Sequence, residues 1–142
     1  MDLLVILRDA LASSLIGGLL LALNAREAGR EVGVLFTQEA LAALARGSFE
    51  WPRELSGQEM RLSLADGGVA LGVPSTGRGE GRQPDARALI PRAHEAGVVL
   101  YACPIWCSLL KLEGALPDDL RALDAAELSG LIQDAKQVVG SL

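Results

Sequence analysis

Gly97-Val-Val-Leu-Tyr-Ala-Cys-Pro-Ile-Trp-Cys107 carries the residues best placed to do chemistry. Cys103 ends an apolar run, Val98 to Ala102, that reads as a buried parallel strand. Pro104 suits the first turn of a helix. A thiol at such a junction lies off the carboxyl end of a strand, where open α/β sheets bind ligands. A helix N-terminus beside it favours the nucleophilic thiolate. Cys103 therefore has two readings, a nucleophilic or sulfur-carrying thiol and a buried structural cysteine. Cys107 is an accessory candidate, a resolving thiol or a helix residue facing the core. Helical i,i+4 spacing holds Cβ atoms about 5–6 Å apart, too far for a disulfide without unwinding. Trp106 is read as a pocket wall or an interface anchor.

Other residue types offer less. His94 is the single histidine and falls before the Cys103 strand, at its opposite end, which argues against a Cys–His pair. One His and two Cys do not make a zinc site, and no metal or cofactor is expected. Gly72-Val-Pro-Ser-Thr-Gly77-Arg78-Gly79 resembles a P-loop superficially, but Arg stands for Lys and Gly for the following Ser or Thr. Arg78 or Arg82 on this loop could approach an anionic sulfur; a solvated linker is the plainer reading.

The elements that position these residues follow from the apolar pattern. Asp2–Leu7 and Glu31–Thr37 read as strands, and Leu11, Leu15, Leu19 and Ala22 recur at helical spacing up to Ala28. The Gly17-Gly18 pair weakens that helix but permits close packing. Gln38–Arg46 reads as a short helix closed by Gly47. From about 48 to 84 the sequence is an irregular insert, with small strands over Leu62–Leu64 and Val69–Val73 or a hairpin around Asp66-Gly67-Gly68, and a flexible loop over Gly72–Gly81. Asp85–Ala96 reads as a helix, Pro104 to about Leu110 as another, and Leu120–Leu123 as a short strand. Asp124 and Glu127 match a capping box opening a helix to about Ala135, and Lys136–Leu142 reads as an edge strand. Alternating strands and helices imply right-handed parallel crossovers. The expected fold is a single α/β domain over 1–142, a three-layer α/β/α sandwich with about five mainly parallel strands.

Composition narrows the function. The 142 residues are 50% hydrophobic, which suits one folded core. Thirteen Lys and Arg against 18 Asp and Glu give a net charge of −5 with no basic run, a poor match to nucleic acid or anionic membrane. The apolar stretch Leu15–Leu23 is too short to span a bilayer, and Asp2, Arg8 and Asp9 are wrong for a signal peptide. Two cysteines fit a reducing cytoplasm better than a disulfide scaffold.

The ordered set resembles the DsrE/DsrF-like family, to which the TusBCD sulfur-relay subunits belong. The likeness rests on Ala12 to Thr37, Gln38 to Gly47, and Ala93-His-Glu-Ala-Gly-Val-Val-Leu-Tyr-Ala-Cys103. It leaves out about 48–84, and Pro104-Ile-Trp-Cys107 departs from the family's usual continuation. The resemblance implies a five-stranded parallel sheet, a homo- or hetero-oligomer and a persulfide carried on Cys103. It implies a sulfur carrier or sulfurtransferase that hands sulfur to a thiol on a sulfur-relay partner protein. The alternative is a non-catalytic oligomeric binding or assembly module of the same fold, with Cys103 structural.

Overall fold

Apolar runs flanked by helical segments build a five-stranded sheet. The computed structural model describes residues 1–140. In chain order its elements are β1 (Leu3–Leu7), α1 (Ala12–Glu27), β2 (Val32–Phe36), α2 (Glu39–Arg46), α3 (Gln58–Ala70), β3 (Ser75–Thr76), β4 (Gln83–Pro84), α4 (Leu89–Glu95), β5 (Val99–Ala102), α5 (Pro104–Leu109), β6 (Leu120–Ala122), α6 (Ala125–Asp134) and β7 (Gln137–Gly140). The sheet order is β6-β5-β2-β1-β7, and every pairing in it is parallel. The expected edge strand is β7; positions 141 and 142 lie outside the described residues.

β2 is buried at every position, and β1 at all but Ile6. A strand buried on both faces needs a layer on each side, which is why these strands are continuously apolar rather than alternating. α1 and α4 pack together and against β1, β2 and β5. α5 and α6 pack on each other and, through Trp106, Leu128 and Leu131, on the core, completing an α/β/α sandwich. Gly18 serves the close packing expected of it: a Cβ there would sit 2.6 Å from Leu7 Cδ2. Gly17 has open space beside it. α1 is capped indirectly. Its N-cap is Leu11, whose N–H donates to the Asp9 carboxylate at 3.0 Å, while the Ser14 hydroxyl donates to the same group at 2.9 Å.

Two expectations are corrected. The stretch expected as a hairpin around Asp66-Gly67-Gly68 is the interior of α3. Gly68 is there for proximity rather than for a turn: a Cβ on it would lie 3.3 Å from Val73 Cβ. The hairpin in this region is the two-residue β3–β4 pair, closed by Gly77 at φ 84°. The helix expected over Asp85–Ala96 is a 3-10 turn, Ala86–Ala88, followed by α4. Pro91 explains this, because an α-helix starting at Asp85 would place its missing N–H in the interior rather than the first turn.

Candidate functional site

The carboxyl ends of β1, β2, β5 and β6 line up along one edge of the sheet. The Thr37 N–H donates to the Leu7 carbonyl at 3.0 Å, and the Cys103 N–H donates to the Phe36 carbonyl at 3.0 Å. These bonds extend the ladders one residue past the strands and fix Cys103 at the edge. Cys103 then becomes the N-cap of α5, with Pro104 at the first helical position and no side chain capping the turn. Both features were legible in the sequence.

The two thiols sit differently. Cys103 is 5% exposed and belongs to the core cluster, so it is not the accessible thiol that its nucleophilic reading implies. Cys107 is half-buried and lines a groove of about 440 Å³. Ala102 and Pro104, the neighbours of Cys103 in the chain, also line it, as do Ser108, Glu113 and Asp118. Cys107 binds back to Cys103 through the backbone, its N–H donating to the Cys103 carbonyl at 3.0 Å. Burial pushes the Cys107 thiol up from its ordinary range, and the charges of nearby Cys103 and Glu113 push it the same way. Both cysteines are free thiols.

Trp106 packs on the core from α5 and does not line this groove, so it is no wall of that pocket. His94 is exposed near the end of α4, before β5, and so at the opposite end of that strand from Cys103. Arg82 pairs with Asp66 of α3 at 3.1 Å, and neither Arg78 nor Arg82 lines the groove. Among the described residues no group of three or more His, Cys, Asp or Glu is arranged to hold a metal ion. No described helix is long and apolar enough to cross a membrane.

Gln38 was missed from the sequence. It follows Thr37 at the edge and caps α2 with φ 54° and ψ −130°, a conformation costly for any residue with a Cβ. Nothing in its residue type signals this; Gly would be the expected occupant. The acidic wall of the groove, Glu113 and Asp118, was missed too, because the loop carrying it has no motif.

No family model matches the sequence, and no curated protein does. Among solved structures the chain is similar to the ychN protein from E. coli, with a TM-score of 0.60 and 18% identity over 99% of this chain and 100% of that one. It is also similar to BT1422 from Bacteroides thetaiotaomicron, a conserved protein of unknown function, with a TM-score of 0.58 and 10% identity over 99% and 94% of the two chains. At these identities the likeness is one of fold.

Proposed function

We propose that the protein is a sulfur carrier, with Cys103 holding a persulfide whose outer sulfur passes to the thiol of a partner protein. The observation that carries this reading is the place of Cys103, at the carboxyl edge of a parallel sheet beside the groove of about 440 Å³. The likeness of Ala93–Cys103 to the DsrE/DsrF-like signature, and the shared fold with ychN across the whole chain, support it.

The chemistry is a pair of displacements. In loading, the Cys103 thiolate attacks the terminal sulfur of a hydropolysulfide; the new S–S bond forms and a shorter polysulfide anion leaves. In delivery, an acceptor thiolate attacks the outer sulfur. The bond to Cys103 Sγ then breaks, and Sγ keeps the electron pair as thiolate. A reducing cytoplasm is the compartment such a free thiol needs.

The same reading places the protein in an oligomer. α5 and α6 bury no residue completely, and Ile105 and Leu109 are 54% and 63% exposed. β7 is an edge strand with Val138 exposed, the kind of edge a second subunit covers.

Intact mass after incubation with sodium polysulfide tests the assignment. The wild type should gain about 32 Da, one sulfur atom. Cys107→Ser, which leaves Cys103 as the single thiol, should gain it too. A wild type or a Cys107→Ser variant that takes up no sulfur returns Cys103 to a structural role and leaves a binding or assembly module.

A further inference from the structure

We propose that Cys107 is the delivery thiol of this site, taking the outer sulfur from buried Cys103 and presenting it in the groove to acceptors too large to reach Cys103. This rests on the persulfide reading of Cys103.

The burial of the two thiols poses the problem. Small anions can reach a residue that is 5% exposed through local fluctuation, whereas the cysteine of a folded partner reaches it directly only through a wider and rarer opening. Cys107 stands one helical turn further along and faces a groove of about 440 Å³, open to solvent. The two residues are tied by the 3.0 Å bond from the Cys107 N–H to the Cys103 carbonyl, which closes the first turn of α5. Their side chains are near enough that a charge on Cys103 raises the pKa of Cys107.

Spacing favours sulfur transfer over a disulfide. Residues one turn apart hold their Cβ atoms on the order of 5–6 Å apart. A disulfide needs about 3.5–4.5 Å. A persulfide places its outer sulfur about 2 Å beyond Sγ, which spans the excess. The Cys107 thiolate attacks that outer sulfur, a bond forms to Cys107 Sγ, and the bond to Cys103 Sγ breaks with its electron pair going to Cys103. The proton lost by Cys107 is regained at Cys103. The step exchanges Cys103–S–SH and Cys107–SH for Cys103–SH and Cys107–S–SH, with no net oxidation and no co-reactant.

The groove wall adds selectivity. Its charged residues are Glu113 and Asp118, both acidic, so it disfavours an anionic acceptor and suits a neutral or basic surface around the incoming cysteine.

The test compares unloading by a small and a large nucleophile. Protein is loaded with sodium polysulfide, freed of excess reagent and divided. One part receives cyanide, which takes the outer sulfur as thiocyanate. The other receives a thiol-terminated polyethylene glycol, too large to enter a groove of about 440 Å³ completely. Loss of the sulfur adduct is followed by intact mass. Cys107→Ser and Cys107→Ala should still surrender the Cys103 sulfur to cyanide, but should lose it to the polymer about tenfold more slowly or worse, because access governs exchange. In the wild type, alkylation during polymer unloading followed by fragmentation should find part of the sulfur on Cys107. Equal polymer rates in wild type and variants overturn the relay while the persulfide reading stands. Cyanide and polymer release slowed by the same factor in the variants also overturns it, by showing that Cys107 shapes the surroundings of Cys103. No adduct on the wild type removes the persulfide reading, and the relay with it.

Discussion

Cys103 and Cys107 close a single turn of helix, amide to carbonyl at 3.0 Å, yet only Cys107 opens onto the groove while Cys103 is sealed in the core. In the resting protein a bulky maleimide should therefore label Cys107 first, with Cys103 following on the time scale of local opening. Peptide mapping of partly labelled protein reads the order directly. Labelling of Cys103 ahead of Cys107 would mean that the edge of the sheet opens far more readily than its packing indicates.

Labelling of Cys107 should depend on pH in a shifted way. Desolvation first, then the charges of Cys103 and Glu113, hold the proton on Cys107 above the ordinary thiol range. Its folded pKa is raised, so the reactive thiolate appears at higher pH than in an unstructured peptide. Glu113→Gln removes one of the lesser causes and should speed alkylation near neutrality by about twofold. A rate profile matching that of a free peptide cysteine would contradict this.

Gly33 lies under Tyr101. A Cβ at position 33 would fall 2.9 Å from Tyr101 Cε2 and 2.7 Å from Met1 Cε. Gly33→Ala must push the buried Tyr101 ring off the centre of the sheet, and should cost about 1–3 kcal/mol. Chemical denaturation should show a lower midpoint with an unchanged slope.

Strain at Gln38 should be removable. With φ at 54° and ψ at −130°, Gln38→Gly relieves a Cβ clash and should stabilise the fold by about 1 kcal/mol despite the added freedom of the unfolded chain. If thermal unfolding instead falls in this variant, the Gln38 side chain makes a contribution larger than the strain it bears.

Asp124 holds the start of α6 through a reciprocal pair. Its carboxylate accepts from the Glu127 N–H at 2.8 Å, and Glu127 accepts from the Asp124 N–H at 3.3 Å. Asp124→Ala should cost about 1 kcal/mol, or a few degrees in thermal midpoint for a chain of this size. Asp124→Ser should recover most of it.

The sheet was legible in the residues themselves. Leu3–Leu7, Val32–Phe36 and Val99–Ala102 are short apolar runs separated by helical segments, and burial on both faces leaves such runs no other regular use. Asp124 and Glu127 announced their cap through spacing, and Pro104 announced the helix after Cys103. Local chemistry decides these features, so local sequence reveals them. α3 was hidden because Gly67-Gly68 carries the same signal for a turn as for close packing, and only the approach of Val73 separates the two. The strained backbone of Gln38 was hidden for the converse reason, since the tertiary frame imposes a conformation its residue type opposes. The exposure of the two cysteines could not be read either. Four residues apart on one short segment, Cys103 and Cys107 have the same composition around them. Cys103 is sealed because the end of β5 lies in the core, and Cys107 meets solvent because the loop that follows α5, carrying Glu113 and Asp118, folds beside it to leave a groove.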